Sequence, residues 1–135
     1  MNYFIKPKSK YNNKVVDLIS GERFDSKKEY ARWCELKLME QGGLIEKLER
    51  QVPFELIPAQ YEDIEMINKN GKKIIKKKLL ERGCSYLADF VYIDSENGKQ
   101  VVEDTKSKAT ITPEYIIKRK LMLYKYGIKI KEMIE

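Results

Sequence analysis

Two apolar segments near the middle of the chain carry acidic residues that could bind a divalent cation. Asp89 lies within the first segment, and Asp104 and Lys106 lie near the end of the second. Because side chains on a strand alternate between faces, Asp104 and Lys106 would share one face. The pair Asn97-Gly98 between the segments is typical of a hairpin turn, which would bring Asp89 beside Asp104.

Carboxylates in this arrangement are suited to phosphodiester hydrolysis. A hard divalent cation held by oxygen ligands can activate water and offset the charge that develops on phosphate. We predict that Asp89, Asp104 and a carbonyl at Thr105 supply these ligands, and that Lys106 orients the attacking water or offsets phosphate charge. Two simpler interpretations remain open: Asp89 could pair with a lysine at a strand edge, and Asp104 with Lys106 in an ordinary ion pair.

The composition narrows the chemistry further. The chain has 135 residues, 27 Lys and Arg against 21 Asp and Glu, a net charge of +6 and no histidine. Without an imidazole, serine or cysteine triads, histidine-ligated zinc sites and HNH-type nucleases are excluded. The positive charge favours a polyanionic partner such as DNA. No glycine-rich phosphate loop is present, so no nucleotide cofactor is expected.

The helices and strands that would position these residues follow from apolar spacing and end signals. One helix is predicted to begin after Ser26, with Glu29 three residues later, and to stop before Gly42; a second would run from Pro113 to Gly127. Further predicted elements are strands at 15–19, 52–57 and 128–134 and a brief turn at 44–48. This order predicts an α/β domain with a mixed β-sheet flanked by helices.

Residues 1–135 are predicted to form a single domain. Residues 1–20 would be a basic N-terminal segment, and residues 62–83, which contain a lysine run, a basic hairpin or a mobile arm. Cys34 and Cys84 lack metal-ligand spacing and are expected to be reduced core thiols. No apolar run is long enough for a signal peptide or a membrane span, so we expect a cytoplasmic protein with no membrane partner.

Asp89 followed by Asp104-Thr105-Lys106 resembles the core motif of the PD-(D/E)xK nuclease superfamily. A wider set of segments, in the same order, is similar to a family of small, mostly phage-borne proteins that resemble Holliday-junction resolvases. These segments are 24–29, 54–58, 86–92, 102–106 and 118–121. The sequence departs from the usual motif at two points, since Ala88 replaces the proline and Asp104 the commoner glutamate.

The resemblance implies a restriction-endonuclease-like core and a metal-dependent endodeoxyribonuclease that acts on branched DNA in phage recombination or DNA processing, inside a bacterial host. Mg²⁺ would be the cofactor, with Mn²⁺ able to substitute, and a homodimer would be needed to cut two strands. The family pattern adds Glu29 to Asp89, Asp104 and Lys106 as a catalytic residue and metal ligand. Glu29 could instead only close the helix cap with Ser26.

Other residues complete this set of expectations. Glu35 is the fallback for Glu29, and Glu103 is expected to be structural because it would face away from Asp104. The predicted DNA-contacting residues are Lys118, Lys120, Lys76 and Lys77. Each of these lysines could also belong to a solvated surface. Two other functions remain open: a nuclease indifferent to DNA structure, and a non-catalytic DNA-binding protein that keeps a decayed nuclease core.

Overall fold

The protein is a mixed α/β structure in which two helices accompany a four-stranded sheet. The computed structural model describes residues 3–8, 14–18 and 20–134. In chain order the elements are β1 (Tyr3–Lys8), β2 (Lys14–Leu18), β3 (Arg23–Phe24), α1 (Lys27–Gln41), β4 (Ile45–Ile57), β5 (Gln60–Ile67), β6 (Lys73–Glu81), β7 (Cys84–Asp94), β8 (Gln100–Lys106), a 3₁₀ turn (Lys108–Thr110), α2 (Pro113–Tyr126) and β9 (Lys131–Ile134). The predicted α/β class and mixed sheet are confirmed.

The central sheet has the strand order β4-β7-β8-β9. β4 pairs with β7 and β7 with β8 in antiparallel fashion, whereas β8 and β9 are parallel. A parallel pair needs a crossover connection, and α2 supplies it between β8 and β9. The smaller sheets are β1-β2-β3 and the hairpin β5-β6.

The two helices cover opposite faces of the central sheet. On one face, Met122 and Tyr115 of α2 pack with Val102 of β8 in a buried apolar cluster. On the other face, Leu36 of α1 packs against Phe90 of β7, and the neighbour of Val102 on β8, Val101, joins this second cluster. The alternation of Val101 and Val102 between the clusters places one helix on each side.

Both predicted helices begin and end at their sequence signals. The Ser26 side chain accepts a hydrogen bond from the Glu29 amide (3.1 Å), and Thr112 caps α2 through the Tyr115 amide (3.2 Å). α2 ends at Gly127, whose φ of 67° lies in the left-handed region that glycine adopts without strain. The ends of both helices are therefore encoded locally.

The predicted strand boundaries need three corrections. The turn at 44–48 and the strand at 52–57 are in fact parts of one strand, β4, which pairs with β7. The register of this pairing shifts between Glu46 and Glu49, around the left-handed residue Lys47 (φ 53°), and the pairs continue on both sides of the left-handed residue Gln51 (φ 54°). β9 begins at Lys131 and not at 128. The N-terminal segment contains a strand that was not predicted, β1, which pairs with β2, and β2 in turn pairs with β3. Residues 1, 2, 9–13, 19 and 135 lie outside the described residues.

Within the range assigned to a hairpin or mobile arm, β5 and β6 form a two-stranded antiparallel sheet. Cys34 and Cys84 are both free and half-buried, so they are less enclosed than core thiols. Across the described part of the chain, no helix is both long and apolar enough to traverse a bilayer.

Candidate active site

The central sheet divides at the end of the β7–β8 pairing. Main-chain pairs run from Ile93 opposite Gln100 to Phe90 opposite Glu103, and the pairing of these two strands ends there. Beyond that point β7 continues beside β4, while β8 continues beside β9. Asp89 and Asp104 are the first residues past the last pair, so they stand at the mouth of this fork.

At the fork, the Asp89 side chain bonds to β8 where main-chain pairing between β7 and β8 has ended. Its Oδ2 accepts a hydrogen bond from the Thr105 amide at 2.9 Å. Ala88 belongs to the α2-side cluster and Phe90 to the α1-side cluster, so the regular alternation of β7 breaks at Asp89. The N–H and C=O of a strand residue point toward the same neighbouring strand, and the Thr105 carbonyl is therefore directed into the fork as well.

Asp104 is only 4% exposed and is held from two sides. Its Oδ2 accepts a hydrogen bond from the Tyr86 hydroxyl (2.6 Å) and lies 3.4 Å from the Lys106 Nζ. That ammonium sits 4.2 Å from the centroid of the Tyr115 ring, and Lys28 of α1 donates to the Lys106 carbonyl (3.1 Å). The predicted sharing of a face by Asp104 and Lys106 is confirmed, and the two do form an ion pair.

Glu29 reaches the same region from the first turn of α1 and is 3% exposed. Its Oε2 accepts from the Asp25 amide at 3.3 Å, so the reciprocal capping bond goes to Asp25 instead of Ser26. Its Oε1 accepts from Gln51 Nε2 (3.0 Å) and lies 3.8 Å from an Arg50 guanidinium nitrogen. Glu29 therefore caps the helix and also faces β4 and the fork.

Gln51 connects the acid on the helix with the acid on the strand. Its Nε2 lies 3.0 Å from Glu29 Oε1 and 3.5 Å from Asp89 Oδ1. Its left-handed backbone stands opposite Asp89 in the β4–β7 ladder, between the pairs that flank both residues. Sequence reasoning missed Gln51, because a glutamine within a strand carries no signal for a positive φ. Backbone strain of this kind is characteristic of functional sites.

The crowding of these acids disfavours their charged forms. Burial, followed by a hydrogen bond with and repulsion from Asp104, raises the pKa of Asp89 to about 9, and Glu29 adds further repulsion. Burial, followed by repulsion from Asp25, raises the pKa of Glu29 to about 7. A bound cation would reverse this preference, because it stabilises ionised carboxylates.

The acids do not form one compact cluster. Among the residues that the structure describes, no group of three or more His, Cys, Asp or Glu side chains is arranged to hold a single metal ion. The adjacent pair is Asp89 and Asp104, and Glu29 is linked to Asp89 through Gln51. The oxygens that could ligate a hard cation are therefore those of this pair and the Thr105 carbonyl, and the Glu29 carboxylate lies beside them across Gln51.

A cleft of about 320 Å³ opens beside Asp104 and Lys106 on the α2 face. Its walls include Tyr86, Tyr115 and Lys118, and Lys118 pairs with Glu114 at 3.3 Å. Of the four lysines predicted to contact DNA, Lys118 is the one that lines this cleft. Lys120 is exposed on α2, outside the cleft lining.

The other two predicted lysines lie on the β5–β6 hairpin. Lys77 stands opposite Asp63 and Lys76 opposite Ile64. Because consecutive strand residues point to opposite faces, Lys76 and Lys77 lie on different faces of the hairpin. Contact of either lysine with DNA stays a prediction.

Two other acids are structural. Glu103 is fully buried on the α1 face, where it accepts hydrogen bonds from Arg32 (2.5 and 3.1 Å) and from the Tyr92 hydroxyl (2.6 Å). Glu35 pairs with the outer side of the same Arg32 at 2.8 Å, with a side chain that is 64% exposed. Glu103 thus has the structural role expected of it, and Glu35 is not part of the fork.

Residues 8–134 match the family described as protein of unknown function (DUF1064). The chain belongs to this family. Neither a curated protein nor a solved structure matches the chain. The DUF1064 match spans every residue of the fork, the cleft and the hairpin, but its description names no activity. A function must therefore be inferred from the site itself.

The backbone strain at Gln51 can be tested by comparing Gln51→Gly with Gln51→Ala. Both variants lose the hydrogen bonds to Glu29 and Asp89, but only glycine adopts a φ of 54° without steric cost. We expect the glycine variant to be more stable than the alanine variant by about 1 kcal/mol in urea unfolding. At Val52, whose φ is not positive, the alanine variant should instead be more stable than the glycine variant. If alanine were also the more stable substitution at position 51, the backbone of Gln51 would not be strained.

Proposed function

We propose that the chain is a metal-dependent endodeoxyribonuclease with a restriction-endonuclease-like core that acts on branched DNA. The observation that carries the proposal is the convergence of Asp89 and Asp104 at the fork, with Lys106 paired to Asp104 beside an open cleft. Glu29, brought to the same region by α1, completes the set. The resemblance to PD-(D/E)xK nucleases rests on the same residues.

The donor set suits Mg²⁺, or Mn²⁺ in its place, because it consists of hard carboxylate and carbonyl oxygens. Asp89, Asp104 and the Thr105 carbonyl would hold the ion, assisted by Glu29. The raised pKa values of Asp89 and Glu29 support a cation here, since uncompensated carboxylates are crowded at the fork. An ion held by these residues would polarise the phosphate and activate a water molecule.

The protein's own side chains would orient the reactants. Lys106 is fixed between Asp104 and the Tyr115 ring, where its ammonium can hold the attacking water or offset phosphate charge. Tyr86 fixes Oδ2 of Asp104, and Oδ1 would then face the fork on the side of Asp89. Gln51 donates to Glu29 and lies 3.5 Å from Asp89, so it would orient the helix acid toward the strand acid.

DNA would approach through the cleft on the α2 face. Lys118 lines the cleft and would contact a phosphate next to the scissile bond, with Lys120 further along α2. On the hairpin, Lys76 and Lys78 lie on one face and are the lysines suited to reach an adjacent DNA arm. The net charge of +6 would favour this association.

A branched substrate is proposed from the resemblance to junction resolvases. Symmetric cutting of two strands requires two active sites, and hence a homodimer. Specificity would come from the shape of the junction, since nothing at the cleft suggests readout of base edges. An enzyme of phage recombination would act in the cytoplasm of the bacterial host.

The test is cleavage of an end-labelled four-way junction and of a linear duplex with the same arm sequence. Each substrate is incubated with Mg²⁺, with EDTA, and with the variants Asp104→Asn and Glu96→Gln. Glu96 is an exposed acid in the β7–β8 turn, so its variant removes the same charge away from the fork. We expect symmetric junction nicking that requires Mg²⁺ and Asp104 and is unaffected at Glu96.

Other outcomes would change the assignment. Equal cutting of junction and duplex would indicate a nuclease that ignores DNA structure. Binding of either DNA without cleavage under any metal would indicate a DNA-binding protein whose fork is not catalytic. Cleavage that survives Asp104→Asn would remove Asp104 from the proposed metal site.

A further inference from the structure

The β5–β6 hairpin extends outward from the β4–β7 strand pair. Its ladder runs from Gln60 opposite Glu81 to Ile67 opposite Lys73, a length of about 25 Å at the usual strand rise. Nearly every side chain along it is exposed. A two-stranded ribbon is marginally stable in water unless another surface covers it. The hairpin is thus an element that lacks a partner within the described chain.

The two faces of this hairpin differ in charge and in exposed apolar area. One face, here called the Tyr61 face, is formed by four cross-strand pairs: Tyr61 with Leu79, Asp63 with Lys77, Glu65 with Ile75, and Ile67 with Lys73. Two carboxylates and two ammonium groups give it a formal charge of zero. The opposite face carries Glu62, Ile64, Met66, Ile74, Lys76 and Lys78.

The Tyr61 face has the character of a protein interface. Its four large apolar side chains are strongly exposed: Tyr61 by 55%, Ile67 by 71%, Ile75 by 70% and Leu79 by 45%. Exposed apolar residues grouped on one surface mark contact sites for other proteins. DNA would require an excess of lysine on this face, and the excess lies on the opposite one.

The charges on the Tyr61 face are arranged to match a second copy of the same face. The acids lie on β5 and the lysines on β6. A two-fold axis parallel to the strands places β5 of one chain over β6 of the other, so that Asp63 meets the partner's Lys77 and Tyr61 the partner's Leu79. An axis across the strands would instead set acids against acids, which is unfavourable.

We propose that the Tyr61 face of the hairpin is a homodimer interface in which two hairpins pack face to face, pointing the same way. Each interface then contains two Asp63–Lys77 ion pairs between chains, flanked by apolar contacts of Tyr61 with Leu79. The inference names a surface for the homodimer that the proposed junction cleavage requires, although its structural argument depends on the hairpin alone. Dimerisation can be measured without DNA or metal, so its failure is distinguishable from failure of the nuclease.

The test is charge exchange at positions 63 and 77, followed by sedimentation velocity of the full chain at several protein concentrations. In a dimer of Asp63→Lys, two lysines would face each other at each ion-pair site. In a dimer of Lys77→Asp, two aspartates would face each other there. We expect the unchanged protein to dimerise and each variant alone to sediment as a monomer. An equimolar mixture of the two variants should dimerise again, because each basic site then meets an acidic one.

The mixture also separates dimerisation from effects within one hairpin. Asp63 and Lys77 face each other across the strands of a single chain, so either variant also alters its own hairpin. Only contact between chains can restore dimers upon mixing. As a second comparison, Ile75→Ser should weaken the dimer at least tenfold, whereas Met66→Ser on the opposite face should not.

A monomeric unchanged protein at all concentrations would overturn the proposal. Retention of full dimerisation in Asp63→Lys, Lys77→Asp and Ile75→Ser would place the interface elsewhere and overturn it as well. If these variants left the oligomeric state unchanged but lost affinity for DNA, the Tyr61 face would be a nucleic-acid surface, and the proposal would be wrong.

Discussion

Replacement of Asp89 by asparagine should abolish DNA cleavage and, at the same time, make the metal-free protein more stable. Asparagine keeps the oxygen that accepts from the Thr105 amide but cannot carry the negative charge that is crowded against Asp104. If Asp89 is a metal ligand as proposed, its loss should lower the cleavage rate by at least about a hundredfold. Gain of stability with loss of activity is the pattern expected of a strained catalytic group.

The stability gain should depend on pH in a defined direction. The pKa of Asp89 is raised from 3.8 to about 9 in the folded chain, so folded molecules retain a proton that unfolded molecules release. Between about pH 4 and pH 9 the free energy of unfolding therefore falls as the pH rises. Glu29, raised from 4.5 to about 7, adds to the fall in the lower part of this window.

In the Asp89→Asn variant the contribution of Asp89 to this slope is absent. At pH 8 without metal, we expect the free energy of unfolding of the variant to exceed that of the unchanged protein by about 2 kcal/mol. This corresponds to a rise of a few degrees in melting temperature. At pH 5 the difference should be smaller, because the cost of retaining the Asp89 proton on folding grows as the pH rises above the unfolded pKa of 3.8.

Thermal unfolding in EDTA at pH 5, 6.5 and 8, repeated with Mg²⁺, measures these differences. Mg²⁺ should stabilise the unchanged protein at pH 8 and have little effect on the variant. Glu96→Gln, at the exposed turn, should leave both the slope and the Mg²⁺ effect unchanged. A variant that is less stable than the unchanged protein at pH 8 would show that Asp89 is an ordinary structural acid.

The parts of this fold that sequence predicts well are those fixed by neighbouring residues. Ser26 and Thr112 cap their helices through bonds to residues three positions on, and Gly127 ends α2 by its own backbone conformation. The β7–β8 hairpin follows from its turn and from alternation on each strand, and that pairing is what brings Asp89 and Asp104 together.

The parts that sequence does not reveal depend on contacts between distant segments. Gln51 takes a left-handed conformation opposite Asp89, 38 residues away, and no local pattern encodes that pairing. The same holds for Tyr86, whose hydroxyl reaches Asp104 across the fork. The opposite orientations of Lys76 and Lys77 follow from simple alternation, but only once the region is known to form a strand.

The largest loss of stability from a single substitution should come from Arg32→Ala. Glu103 is fully buried, and Arg32 is its cationic partner, through hydrogen bonds of 2.5 and 3.1 Å. Without Arg32, the hydrogen bond that the Glu103 carboxylate retains from the described part of the chain is that of the Tyr92 hydroxyl at 2.6 Å. Removing one partner of a buried ion pair costs about 3 to 5 kcal/mol, because the remaining charge is left without compensation. A loss of that size is a large fraction of the stability of a typical domain.

Two comparisons identify the buried charge as the cause of the loss. Glu35→Ala removes the exposed partner of the same Arg32 and should cost less than about 0.5 kcal/mol. The double variant Arg32→Met with Glu103→Met replaces both charges by apolar groups of similar length, and should recover most of the stability that Arg32→Ala loses. Urea unfolding of the three variants measures these differences directly. If Arg32→Ala were no more destabilising than Glu35→Ala, the Arg32–Glu103 pair would not hold α1 against β8, and the attachment of α1 would depend on the apolar contacts of Leu36 alone.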